Sequence, residues 1–168
     1  MINLPALPGA YVLEFYLPQA TELVIGRLGR MRFPAGAGFY LGSARGPGGL
    51  KARLGRHVQP GKIDRPHWHI DYLHGFAQVL AAAYLVQPDS ALANPLECQW
   101  SQALAELPGA CVPLAGFGAS DCRLGCMAHL VAFAGEQNDN HPLLGRSGWL
   151  RLLSDAAGMP LTNVRLLV

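Results

Sequence analysis

The sequence predicts an α+β fold, a small mixed and largely antiparallel sheet packed against three to four helices. Runs rich in β-formers dominate the first 41 residues, whereas helical spacing first appears at residue 49. No repeat, low-complexity tract or evident linker divides the 168 residues, so they read as one domain, 1–168. Its end, from about residue 140, is expected to be a helical extension.

Residues 11–17 alternate loosely and predict a strand. Pro18-Gln19 turns the chain, and 22–28 is expected to pair back as a hairpin. Further strand is expected at 31–33 and 38–41, interrupted by Pro34-Ala35-Gly36. Residues 49–58 read as a helix with Leu50, Leu54 and His57 on one face, ended by Pro60-Gly61. Pro66 suits the first position of a short helix over 67–74. The apolar run 77–86 predicts a buried strand, although its alanine triplet leaves a helix open. A helix is expected over 90–107, closed by Pro108-Gly109, then a loop at 116–121 and a strand at 129–133. A terminal helix over 143–157 stops at Gly158-Met159-Pro160.

Hydrophobic residues make up 51% and charged residues 14%, which excludes a disordered chain. No run reaches the roughly 18 apolar residues of a membrane helix, so no membrane partner is expected. The amino terminus has no cationic, apolar leader, and the expected compartment is the cytoplasm. The net charge of +2 hides an asymmetry: 27–65 holds nine Lys/Arg against one acid (+8), and the rest four bases against ten acids (−6). Eleven of the thirteen bases are Arg, whose planar fork suits phosphate. A block of one sign points to an anionic partner, here DNA or another nucleic acid.

Within that block lies an apolar strand, the glycine turn Gly46-Pro47-Gly48-Gly49, and a helix start carrying Lys51, Arg53, Arg56 and His57. Unpaired N–H groups at such a helix start, backed by cations, suit a phosphate. Arg45, Lys51 and Arg56 are therefore candidate nucleic-acid contacts, joined by His67 and His69 from His67-Trp68-His69-Ile70-Asp71-Tyr72. That stretch reads first as a half-buried helix whose histidines Asp71 satisfies, and second as phosphate- or water-binding. As a strand it would put His67, His69 and Asp71 on one face, a metal-like arrangement. Tyr11 and Tyr40 each sit in a strand, where packing is the ordinary explanation. Together with Arg53 and His57, one helical turn apart, they form an apparatus for phosphodiester chemistry. The turn lacks the Gly-Lys-Ser/Thr ending of a P-loop, and no Gly-x-Ser-x-Gly elbow is present.

Gly9-Ala10-Tyr11 and Tyr40-Leu41-Gly42, followed by Leu50-Lys51-Ala52-Arg53-Leu54 and His57, resemble the GIY-YIG nuclease superfamily. The chain is similar to a branch sometimes fused to endonuclease III-like DNA-repair glycosylases, through 40–57, 67–73 and 116–122. The resemblance implies a DNA endonuclease acting in repair, with such a glycosylase as a partner. It implies one divalent ion, Mg²⁺ with Mn²⁺ as substitute, held by Glu97 in Asn94-Pro95-Leu96-Glu97. Tyr11, Tyr40, Arg53 and His57 would be catalytic: Arg53 clamping the phosphate, and Tyr11, Tyr40 or His57 serving the water, with the choice open. Ala10 replaces the usual Ile, the spacing between the two motifs is longer than usual, and the four-residue glycine turn precedes the Arg helix.

Cys122, Cys126 and His129 have spacing that fits zinc, with Cys98 as a distant fourth ligand, but without paired two-residue cysteine spacings, and a plain packing role is the favoured reading. Two further functional classes stand beside the nuclease. One is a catalytically silent nucleic-acid-binding module using the same basic segment, and the other a zinc-stabilised interaction domain.

Overall fold

The computed structural model describes residues 3–59, 63–87, 95–135, 146–158 and 165–167. The fold is α+β, as the sequence predicts. Its elements are β1 (Gly9–Leu17), β2 (Thr21–Ile25), β3 (Gly29–Phe33), β4 (Gly36–Ala44), α1 (Gly49–His57), β5 (Gln78–Val86), α2 (Leu96–Ala105), β6 (Ala110–Cys111), β7 (Leu130–Ala134), α3 (Arg146–Ala157) and β8 (Arg165–Leu167). Six strands form one sheet in the order β6-β7-β4-β1-β5-β8, antiparallel at every pairing, and β2 and β3 form a second, two-stranded sheet. No helix among the described residues is long and apolar enough to cross a membrane.

Side chains alternate across β1 because strand residues point to opposite faces. Tyr11, Leu13, Phe15 and Leu17 join Tyr40, Leu50 and Leu54 in one core layer, beneath α1 and the small sheet. Ala10 and Val12 join Phe39, Leu41, Trp100 and Trp149 in the other, beneath α2 and α3. Trp149 is fully buried, packs edge-on against Phe39 at 5.8 Å, and donates from Nε1 to Glu14 Oε2 at 3.1 Å. The α3 helix is thus part of the main core, and truncating such a buried Trp costs about 3–5 kcal/mol. Between Glu14 and Phe15 the register against β5 slips from Ala81 to Val79, a bulge that leaves Leu80 without a partner.

Three expectations are corrected. Residues 22–28 do not pair back on β1, because β4 and β5 already occupy both its edges; β2 pairs with β3 around a 3-10 turn at Gly26–Leu28. The segment 67–74 is no α-helix: Trp68 is extended, and only His69–Tyr72 turns, as a 3-10 helix. Asp71 Oδ2 accepts the N–H groups of His67 and Trp68 at 2.8 and 3.1 Å, so it closes the turn before a helix can start upstream. The short strand β8 goes beyond the terminal helix that the sequence predicts. The 77–86 run is strand, resolving the ambiguity of its alanines. Pro60-Gly61, the first part of the 90–107 helix and residues 143–145 lie outside the described residues.

One topological detail positions the site. β7 pairs with β4 only from Gly36 to Tyr40, with a last hydrogen bond from Leu41 N to His129 O at 2.9 Å. From Gly42 onward no described strand covers that edge of β4, and a cleft opens there.

Candidate functional site

The cleft measures about 460 Å³ and draws its walls from five places. The end of β4 supplies Tyr40 and Ser43, the glycine turn Arg45, and α1 Arg53. The first turn of α2 supplies Glu97, and the loop before β7 supplies Asp121 and Arg123. Arg53 Nη1 donates to the Ser43 carbonyl at 2.6 Å, satisfying a strand-edge oxygen, and its guanidinium lies 4.9 Å from the Trp68 ring centre. Both restraints hold a cation at the cleft without neutralising it. The Arg53 Nε is buried and has no hydrogen-bond partner among the described residues.

Glu97 is buried at the opposite wall. Its Oε1 lies 3.5 Å from Arg45 Nη2, and its Oε2 is buried without a hydrogen-bond partner among the described residues. A buried carboxyl oxygen left without a partner is costly unless something serves it. That orphaned oxygen fits a divalent ion.

Behind the cleft wall, Tyr11 and His57 pack with Tyr40 in one buried cluster of mutually tilted rings, with ring centres 6.3 Å (Tyr11–Tyr40), 5.8 Å (Tyr11–His57) and 6.1 Å (Tyr40–His57) apart. The fit needs Gly42, since a Cβ there would stand 2.3 Å from Tyr11 Cζ. The Tyr11 hydroxyl meets His57 Nδ1 at 2.9 Å, and His57 Nε2 lies 3.3 Å from Asp71 Oδ1. This second contact is close but off the hydrogen-bond line, since neither atom has a well-aligned partner among the described residues. A carboxylate only accepts, which assigns the ring proton to Nε2 and makes Tyr11 the donor to Nδ1. Burial lowers the His57 pKa below the usual histidine value, against the pull of Asp71, and the ring is neutral. Burial pushes Tyr11 well above the usual phenol value, and Tyr40 upward, while Arg53 opposes both shifts. Asp71, though buried, is held far below the usual carboxylate range by His57, Arg56 and the two backbone N–H groups.

The structure brings Tyr40, Arg45, Arg53 and Glu97 to one cleft and leaves Tyr11, His57, Lys51, Arg56, His67 and His69 out of its lining. Tyr11 and His57 are fully buried and reach the cleft only through Tyr40 and Arg53. The expected anion cradle at the start of α1 is not free: the N–H groups of Gly49, Leu50 and Lys51 bond the carbonyls of Gly46, Leu7 and Pro5 at 3.0, 2.9 and 2.9 Å. Lys51 is exposed and is not among the residues lining the cleft. Arg56 is engaged by Asp71 Oδ2 at 3.0 Å and the Arg65 carbonyl at 2.8 Å. His67 is exposed against Trp68, and His69 Nδ1 accepts the Gly118 N–H at 2.8 Å. Of the described bases in the +8 segment, only Arg45 and Arg53 line the cleft, where Arg123 from outside it joins them. Sequence reasoning also missed Asp71 as the partner of His57; the signal was its place in a dense aromatic and histidine run.

Cys98, Cys122, Cys126 and His129 offer four ligand atoms all within 4.8 Å of one another. The cluster can hold a metal ion. Cys98, Cys122 and His129 also line the cleft, so this cluster and Glu97 share one wall.

Against known proteins, a family model described as "Domain of unknown function DUF123" matches residues 10–145. The chain belongs to the DUF123 family. The match spans the sheet from β1 through β7 and every cleft residue named above. No match is found among curated proteins or among solved structures.

Proposed function

We propose that this DUF123 chain is a metal-dependent, GIY-YIG-like nuclease domain that hydrolyses DNA phosphodiester bonds, in a repair setting shared with a glycosylase partner. The observation that carries the reading is the meeting of Tyr40, Arg53 and the orphaned Glu97 oxygen in one cleft with two further arginines. Arg53, anchored by Ser43 and Trp68, presents its remaining N–H groups to a phosphate in the cleft. Glu97 would hold the Mg²⁺, with Mn²⁺ as substitute, and the ion when bound supplies charge neutralisation at the phosphate or leaving oxygen. Tyr40, kept protonated by burial, orients a water through its hydroxyl. Tyr11 and His57 act from behind by fixing the Tyr40 ring.

A second reading, a catalytically silent binding module, is favoured by one contact. Arg45 already lies 3.5 Å from Glu97 Oε1, a pairing that competes with a metal.

Incubation with branched and single-stranded DNA in Mg²⁺ or Mn²⁺ separates the two. The nuclease reading expects cleavage that Arg53→Ala and Glu97→Gln abolish while the fold persists. A folded wild type that cuts nothing overturns it. Binding that weakens steeply with salt, and ignores both metal and Glu97→Gln, would then establish the module.

A further inference from the structure

We infer that Cys98, Cys122, Cys126 and His129 bind a single Zn²⁺ ion in a closed tetrahedral site that fastens the loop before β7 to the start of α2. Zinc bound by thiolates at about 2.3 Å and imidazole at about 2.0–2.1 Å places neighbouring ligand atoms roughly 3.5–3.8 Å apart. Cys98 Sγ lies 3.5 Å from Cys122 Sγ and 3.4 Å from His129 Nε2, and no pair among the four exceeds 4.8 Å. Little inward movement is needed to close around an ion.

The surroundings are those of a metal site as well. Cys98 and His129 are buried, whereas Cys122 and Cys126 sit half-buried at the mouth. The Gly118 backbone also holds the His129 ring, which sets the ring's orientation and leaves Nε2 facing the sulfurs. Around the cluster, Ser101 Oγ donates to the Ala128 carbonyl at 2.5 Å, and His129 N donates to the Phe117 carbonyl at 2.8 Å.

The loop needs such a fastening. Between β6 and β7 the chain contains turns and no helix, and Leu124 and Met127 expose 52% and 67% of their surface, so few apolar contacts hold its tip. A metal supplies the missing free energy. Four protein ligands leave no position open for water, which makes the ion structural.

The site lies where it organises the cleft. Cys98 adjoins Glu97 in α2, and His129 hands the chain to β7 beside Tyr40. Gly118, in the same loop, packs where a Cβ would stand 2.8 Å from the Tyr40 ring. The zinc would hold one wall of the cleft in place whether or not that cleft cuts DNA.

The test uses the whole chain, expressed and purified without added metal, and needs no DNA. Elemental analysis is expected to find one zinc per chain, and cobalt substitution to give the sulfur-to-metal charge-transfer band of a thiolate site. Cys122→Ser/Cys126→Ser is expected to lower zinc content by more than about tenfold, since even loss of an outer-shell partner costs about 10–100-fold in affinity. Strong chelators should expose the 119–128 loop to protease in the wild type. Wild-type protein with no zinc and no cobalt–thiolate band overturns the inference, and so does loss of two titratable thiols to a Cys98–Cys122 disulfide. Both wild-type readouts hold even if the double variant does not fold, and neither depends on cleavage.

Discussion

The Tyr11 hydroxyl stands 2.9 Å from His57 Nδ1, joining the first strand to the last turn of α1 through two fully buried polar groups. Tyr11→Phe keeps the ring and removes the donor, leaving Nδ1 buried and unserved. The expected loss is about 1–3 kcal/mol of stability, read as a lower midpoint of urea unfolding at unchanged slope.

On the other side of His57, Asp71 is an acceptor for two backbone N–H groups and the Arg56 guanidinium. Asp71→Asn removes the charge that these donors converge on. Breaking a buried ion pair costs about 3–5 kcal/mol, and the loss here should fall at or below that range because Arg56 keeps contact with water. Calorimetric melting checks it; an unchanged melting temperature would contradict the buried network.

Acid should unfold the protein in two stages. His57 binds its proton less readily folded than unfolded, so its contribution is complete above about pH 6.5 and declines as the pH falls through that value. Asp71 is depressed as well, so its contribution is present above the ordinary carboxylate pKa of 3.8 and is lost as the pH falls below it toward the folded value. Urea midpoints measured from about pH 7.5 down to about pH 3 should show both declines, with the upper one weakened in His57→Gln.

Glu97 sets stability against chemistry. Its unserved oxygen costs about 1–3 kcal/mol, whereas a half-exposed pair such as Arg45–Glu97 returns about 0–1 kcal/mol. Glu97→Gln should therefore melt at the same or a higher temperature than wild type in the absence of metal. The same change should remove any Mg²⁺-dependent stabilisation, which a thermal shift with and without the ion would detect.

Much of the architecture was legible because strand and helix periods are local. Alternation marked β1, and the 50/54/57 spacing marked the buried face of α1. Tyr40, Arg53 and Glu97, which lie on three separate elements, meet in one cleft. Other features depend on contacts that spacing does not carry. Whether the α1 N–H groups were free depended on Pro5 and Leu7 crossing the helix start. The pairing of Asp71 with His57 spans 14 residues and two elements. The cluster draws Cys98 from one helix and Cys122, Cys126 and His129 from a distant loop, so spacing tied only the last three together.

The late start of β7 has a consequence for how this molecule meets others. A bare strand edge invites pairing by any extended chain, including another copy. Here Arg53 occupies the Ser43 carbonyl and two more arginines flank the opening, so the edge is closed by a cation instead of a strand. The guanidinium proposed to receive a phosphate also guards against aggregation. Arg53→Ala would leave the protein less able to stay apart from itself as well as less able to hold DNA.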